Sequence, residues 1–398
     1  MEILNKILPD KEEIKNVEKN VESFLSKFSF KNIKFTIGGS YAKGTWLSGN
    51  KDIDIFVKFK YEKYLNKNIS LELEKILKKK RIKFEIVHGS RDYFHIIRNG
   101  TLFELVPVLD ISRSNKLENI MDVSPLHVNY IKKKLNNKMK NDVRLLKQFC
   151  KANNLYGAES YIKGFSGYAL EILICYYKSL TKLMKEASKW KERKVIDLAK
   201  HYKSSLMILR SINKSKISSL VLIDPVQLDR NAASALSKEN YKKFISLAKL
   251  YDGSESFFMK KEINLKNLKG YSIFRIVPLE GKKSIVGAKL VKSLDKIKKS
   301  LEKEGFEIYD YGWKWEENAY FWFKTSKLDK FRKHYGPLKS YKEHLKKFKE
   351  KWKGKKFYYS KGKAYVKLKR ENVDSSDVIR DILKRKDVKV GFKKFRKV

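Results

Sequence analysis

Asp52 and Asp54 stand two residues apart in the segment Lys51-Asp52-Ile53-Asp54-Ile55-Phe56. Ile53, Ile55, Val57 and Phe59 alternate around them with the period of a strand, so both carboxylates point to one side. Two acids on one face repel unless a cation sits between them, and carboxylate oxygens with open positions suit Mg²⁺. Just upstream, Gly38-Gly39-Ser40 forms a turn whose backbone N–H groups, unshielded by a Cβ, can approach a phosphate closely. Taken singly, two alternating acids describe a solvated strand face and Gly-Gly-Ser describes an ordinary turn. Strand, turn, short helical link and acidic strand together form one unit that brings phosphate and metal to the same place.

The surrounding pattern supplies the elements for this unit. Ile14, Val17, Val21, Phe24, Leu25 and Phe28 recur at helical spacing over Asp10 to Phe28. Ile33, Phe35 and Ile37 then alternate as a strand that ends at the Gly-Gly-Ser turn, and Phe84, Ile86 and the run Phe103 to Leu109 read as further strands. From Leu126 to about Leu250 the period is mostly helical, with Val143, Leu146, Phe149 and Cys150 on one face and an apolar helix over Tyr168 to Ala187. Beyond Ser254 strands and helices mix: strands over Tyr271 to Leu279 and Ala319 to Lys324, a helix over Lys283 to Glu304, a hairpin turning at Lys361-Gly362-Lys363, and a basic tail GFKKFRKV. These patterns predict an α+β multidomain chain with an α/β head at 1–125, a helical centre at 126–253 and an α/β region at 254–398.

Composition narrows the partner. Lys plus Arg number 91 against 45 Asp plus Glu in 398 residues, a formal net charge of +46. A field of that size favours a polyanion, nucleic acid before membrane. Apolar content of 42 % and aromatic content of 13 % allow a large core. Cys150 and Cys175 are the only cysteines, which excludes a disulfide framework and a cysteine zinc site and suits a reducing, cytoplasmic location. The start carries acids where a secretory signal would carry a basic then apolar run. The longest apolar stretch, Tyr168 to Tyr177, is interrupted by Glu171 and is too short to span a bilayer.

Gly39-Ser40 followed by the Asp52/Asp54 pair resembles the nucleotidyltransferase signature of the DNA polymerase β superfamily. The later blocks VRLLKQF from Val143, ANNLYGAE from Ala152, KGFSGY from Lys163, IDPV from Ile223 and DRNAA from Asp229 are similar, in order, to archaeal-type (class I) CCA-adding enzymes. The likeness runs from about Ile33 to Ala235 and is weaker beyond; members often carry Glu where this chain has Asp52.

The resemblance implies a polymerase-β-like head and template-independent addition of cytidine, cytidine and adenosine to the tRNA 3′ end from CTP and ATP. It implies two Mg²⁺ ions held by Asp52, Asp54 and a third carboxylate on a neighbouring strand, for which Asp110, closing the run Leu102 to Leu109, is the candidate. Ser40 and Lys43 match positions that hold the triphosphate. His127, Lys147 and Tyr156 match further triphosphate and ribose contacts, and Arg230, with Asp229 beside it, matches the region that reads the base edge. The Lys-rich stretch from Lys324 to Lys369, interleaved with Tyr335, Phe348, Trp352, Phe357, Tyr358 and Tyr365, is a candidate tRNA contact. Another polymerase-β-like transferase, such as a poly(A) polymerase relative, and a non-catalytic RNA-binding protein are the alternatives. Oligomeric state is not legible in the sequence.

Overall fold

The computed structural model describes residues 2–112, 118–260 and 264–398. The chain divides into two compact units, residues 1–261 and 262–398.

The first unit opens with helix α1 (Glu2–Ile7) and helix α2 (Lys11–Leu25). Asp10 caps α2 by accepting from Glu13 N at 2.7 Å, and Val17, Val21 and Phe24 form its buried stripe. Strand β1 (Ile33–Ile37), the short helix α3 (Gly39–Lys43) and strand β2 (Asp52–Lys60) follow. Helices α4 (Tyr61–Tyr64) and α5 (Ile69–Lys79) and strands β3 (Glu85–Val87), β4 (Tyr93–Arg98) and β5 (Thr101–Asp110) complete a five-stranded sheet of order β1-β2-β5-β4-β3. β2 and β5 run parallel; the other neighbours are antiparallel. One face of this sheet, with Ile53, Ile55, Val57, Phe59, Phe103 and Leu105, is buried with α2 and α5 residues. Phe24 stacks on Phe103 with ring centroids 4.2 Å apart. The other face carries Asp52, Asp54, Phe56 and Lys58 beside Leu102, Glu104, Val106 and Val108.

Helices α6 (Ser124–Lys134), α7 (Asn137–Ala152), α8 (Gly167–Tyr177) and α9 (Leu180–Ala187) build a second core. The expected single helix over Tyr168 to Ala187 is two: Lys178 adopts φ +69° and Ser179 caps a new helix by accepting from Lys182 N at 3.2 Å. Strand β6 (Lys194–Asp197), helix α10 (Ser205–Ser211), strand β7 (Leu220–Ile223) and helix α11 (Lys238–Leu250) complete the unit, β6 and β7 pairing in parallel. Ile3, Ile7 and Leu47, expected to belong to the α/β head, lie in the helical core with Leu146, Phe149 and Leu173.

The second unit is built from strand β8 (Ser272–Pro278), helix α12 (Lys283–Glu304), strands β9 (Ile308–Trp315), β10 (Ala319–Thr325) and β11 (Phe331–Leu338), helix α13 (Lys342–Lys351), strands β12 (Phe357–Ser360) and β13 (Lys363–Lys369), helix α14 (Ser375–Lys384) and strand β14 (Phe392–Lys397). The expected basic tail is therefore β14, which pairs antiparallel with β8 in a sheet of order β14-β8-β10-β9. Phe392 and Phe395 explain the change: they stand three apart, and the register shift between Phe392 and Lys394 lets both pack on the core side of the strand. A second sheet has the order β11-β13-β12. No helix among the described residues is long and apolar enough to cross a membrane.

Candidate active site

Asp54 lies on β2 with its carboxylate packed against the turn into α3. Gly39 there has φ +56°, and a Cβ on it would overlap the Asp54 carboxylate, so glycine is required twice over. Directly across the parallel ladder from Asp54 stands Glu104, while Asp52 pairs with Leu102. Burial, then the charges of Glu104 and Asp52 against the opposing pull of Lys43, pushes the Asp54 carboxyl up to about 6. Glu104 is in turn 3.0 Å from His95 Nε2 on β4.

The register removes Asp110 from this group. Asp110 pairs with Lys60, six residues along β5 from Glu104, a distance of about 20 Å at strand spacing. Its carboxylate forms an ion pair with Lys58 at the far end of the same face, beyond the apolar patch of Phe56, Val106 and Val108. The carboxylate on the neighbouring strand that faces Asp54 is Glu104. Among the described residues no three acid or imidazole groups already converge as a metal cage. The donor set still fits a hard cation: oxygen ligands, one carboxyl raised by burial and by its acidic neighbours, with Asp52 exposed.

The two lysines expected at the triphosphate meet at a residue that sequence reasoning passed over. Glu171 of α8 is fully buried, at 0 % exposure, with Lys147 at 3 % and Lys43 at 8 %. It accepts from Lys43 Nζ at 2.5 Å, Thr45 Oγ1 at 2.7 Å and Lys147 Nζ at 3.3 Å. Lys147 Nζ also donates to Thr45 Oγ1 at 3.0 Å and to Thr45 O at 3.1 Å. Burial would raise the Glu171 carboxyl, but the two lysines hold it below the usual range. Burial pushes Lys147 down to about 8 against the pull of Glu171. Tyr156 is half-buried beside this cluster, its hydroxyl and Lys147 both flanking Gly167. Burial, with Glu171 next, pushes its phenol up to about 12. Lys151, one turn beyond Lys147, places Nζ 5.4 Å from the centre of the Tyr156 ring and feels the charge of Asp52. Ser40 is half-buried in the first turn of α3, with no hydroxyl partner among the described residues.

His127 and Arg230 also converge on one acid. Asp224, fully buried at the end of β7, lies 2.5 Å from Arg230 Nη1 and 2.9 Å from His127 Nε2. His127 Nε2 is buried and makes this contact with the Asp224 carboxylate. Asp224 Oδ1 accepts from Tyr168 Oη at 3.0 Å and Val226 N at 2.9 Å. Burial would raise this carboxyl, but His127, the Val226 N–H and Arg230 outweigh it and bring it down to about 2. Asn231 fixes the loop: its Oδ1 accepts from Leu222 N and Ala233 N, each at 2.9 Å. Asp229, expected beside Arg230, is exposed, and the acid that holds Arg230 is Asp224. Tyr168 and Glu171 lie three apart on α8, so one helix face serves both buried acids.

In the second unit the six aromatics expected on one surface separate. Phe348 and Trp352 pack with His334 and Phe357 between α13 and the sheet. Tyr335, Tyr365 and Tyr358 sit in register across β11, β13 and β12 on the opposite face. Lys333 lies 5.3 Å over Tyr365 and Lys367 lies 5.0 Å over Tyr358.

Three family models match the chain in succession. Residues 17–122 match the family described as nucleotidyltransferase domain, residues 141–259 the second domain of tRNA nucleotidyltransferase, and residues 282–396 the C-terminal domain of CCA-adding enzyme. The CCA-adding enzyme of Nanoarchaeum equitans is 39 % identical over 303 residues, 76 % of each chain. That of Saccharolobus islandicus is 34 % identical over 319 residues, 78 % of this chain and 73 % of its own. A mutant Cid1 poly(U) polymerase bound to MgATP shares the fold over 65 % of this chain and 97 % of its own, with TM-score 0.50 and 16 % identity. Three consecutive family matches and relatives aligned over three quarters of the chain lead to one conclusion: the chain belongs to the CCA-adding enzymes, a family of tRNA nucleotidyltransferases.

Proposed function

We propose that this enzyme adds and repairs the 3′-terminal CCA of tRNA, without a nucleic-acid template, and does so with Asp52, Asp54 and Glu104 as its metal-holding acids. The observation that carries the site reading is the pairing of Asp54 with Glu104 across β2 and β5, directly against the Gly39 turn. Asp52, Asp54 and Glu104 would hold the two Mg²⁺ ions of the family pattern, which supply charge neutralisation for the triphosphate and acidify the attacking 3′-hydroxyl. The chain's own residues do the rest. The turn before α3 offers backbone close to the phosphates of CTP or ATP, with Lys43 behind it and Lys151 at the rim. Glu104, 3.0 Å from His95 Nε2, stands beside Asp54 on the same face of the sheet. Tyr168, through Asp224, holds Arg230 and His127 with fixed donors. A base edge that leaves a buried donor unpaired is disfavoured by about 1–3 kcal/mol, the scale that base selection needs.

For the partner, the face of Lys333, Tyr335, Tyr365, Lys367 and Tyr358 is our choice of tRNA contact in the second unit. Its lysines suit an A-form backbone, recognised by shape and phosphate. Two buried free cysteines support a cytoplasmic site of action.

The test is to incubate tRNA lacking its 3′ end with Mg²⁺ and each labelled nucleoside triphosphate, alone and in combination. The expected product is a defined three-nucleotide extension that requires CTP and ATP. A homopolymeric tail, or incorporation of UTP or GTP at equal rate, overturns the reading.

A further inference from the structure

The acids of the cleft belong to a row that continues beyond them. The β2–β5 ladder sets Asp54 opposite Glu104, the β5–β4 ladder sets Glu104 opposite His95, and the β4–β3 ladder sets His95 opposite Glu85. Residues paired in register point to one side of a sheet, so these four side chains share the face of the acids. The imidazole thus has an acid on either side and makes its contact with one. His95 Nε2 lies 3.0 Å from Glu104 Oε2, whereas Glu85, on the edge strand β3, is exposed. A carboxylate can only accept, so the ring nitrogen is the donor.

Asp54 and Glu104 are like charges set directly opposite each other, which drives their side chains apart. Glu104 is longer and freer than the two aspartates beside it, and its side chain is 32 % exposed. Its only hydrogen-bond partner among the described residues is His95. That bond occupies Oε2 and leaves Oε1 open. The imidazole is itself braced. Tyr93, two residues back on the same face, meets it edge-on with ring centroids 5.5 Å apart, and Tyr93 packs on the apolar patch of Phe56, Val106 and Val108. A pair as exposed as His95 and Glu104 adds little to stability, so stability does not explain this bracing.

We infer that His95 is a positioning residue of the metal site, which holds one oxygen of Glu104 so that this carboxylate stays in line with Asp54 for a divalent cation. The inference rests on the reading of Asp52, Asp54 and Glu104 as the metal-holding acids. His95 acts through Glu104 and touches neither the cation nor the nucleotide. Hydrogen bonds to ligating groups fix their orientation, and losing one costs about 10–100-fold in metal affinity or activity.

The experiment titrates the whole protein with Mn²⁺, read by the loss of the free-ion EPR signal, and measures the Mg²⁺ concentration for half-maximal CTP incorporation and the melting temperature. His95→Leu is expected to weaken Mn²⁺ binding and raise the Mg²⁺ requirement by roughly tenfold, with melting unchanged. His95→Gln, which keeps an N–H donor, recovers part of the loss. Because His95 acts only through Glu104, adding His95→Leu to Glu104→Gln costs nothing further. Full Mn²⁺ affinity in His95→Leu overturns the inference, as does a further loss in the double variant. So does a loss that follows a lowered melting temperature and is not recovered by His95→Gln. Asp54→Asn is the separate control on the site: Mn²⁺ binding and turnover that survive there defeat the reading of the acids, whatever the His95 variants do.

Discussion

Asp54 and Asp224 are both sheltered aspartates of the first unit, and their carboxyl groups go in opposite directions. Asp54 stands among other acids and is pushed up to about 6. Asp224 is enclosed by Arg230, His127, Tyr168 and a backbone N–H and is brought down to about 2. Burial opposes the charge at both; the difference is whether the fold supplies the compensating donors. At Asp224 and Glu171 it does, and those acids build the scaffold. At Asp54 it does not, and the missing cation must come from outside.

The largest effect that separates the two is substitution by the neutral amide. Asp54→Asn should lower nucleotide addition by about 10²–10³-fold or more. The same change should stabilise the fold. Because the folded carboxyl sits above its ordinary value, its charge penalises the folded state increasingly as pH rises from about 4 to 6. In metal-free denaturant unfolding at pH 7, Asp54→Asn is expected to gain roughly 1–3 kcal/mol, with the gain vanishing near pH 4. Equal or lower stability at pH 7 would break the contrast.

Asp224→Asn should move the other way. A carboxyl lowered to about 2 contributes stability that is fully present above about pH 4 and is lost as pH falls through 2. Urea unfolding at pH 7 should show a loss of about 2 kcal/mol, with Arg230 and His127 left without their shared anion. A neutral effect would mean that the donors around Asp224 do not compensate its burial.

Lysines extend the comparison at smaller scale. Lys147 is consumed by internal partners, whereas Lys333 and Lys367 lie over tyrosine rings on the open face of β11 and β13. Replacing either of these two by Gln should leave melting unchanged and reduce the salt slope of tRNA binding by about one for each phosphate that is no longer neutralised. Filter binding across a range of salt concentrations measures it, and an unchanged slope removes this face from the tRNA interface.

Local chemistry was readable in the chain and long-range register was not. Alternation and the Gly-Gly-Ser turn located Asp52 and Asp54, and helical spacing located α2, α7 and α12. Asp110 closes an apolar run and so stands out in the sequence, but nothing in one strand says which residue of its parallel neighbour lies opposite. Glu104 was legible only as a charge inside that run, as was Glu171 inside α8. In both cases a lone acid in an apolar segment was the available signal. The break at Lys178 left only the capping Ser179 as a trace, since lysine gives no sign of a left-handed backbone. The lysine-rich C-terminus hid β14 because two phenylalanines carry its pattern.

The most direct measurement of the central claim is the rate of CTP incorporation into tRNA lacking its 3′ end, with Glu104→Gln and Asp110→Asn compared side by side in Mg²⁺. If the acids of the site are those that the β2–β5 ladder places together, Glu104→Gln loses turnover by about 10²-fold or more while Asp110→Asn stays near wild type. Retained turnover in Glu104→Gln together with its loss in Asp110→Asn would contradict the account.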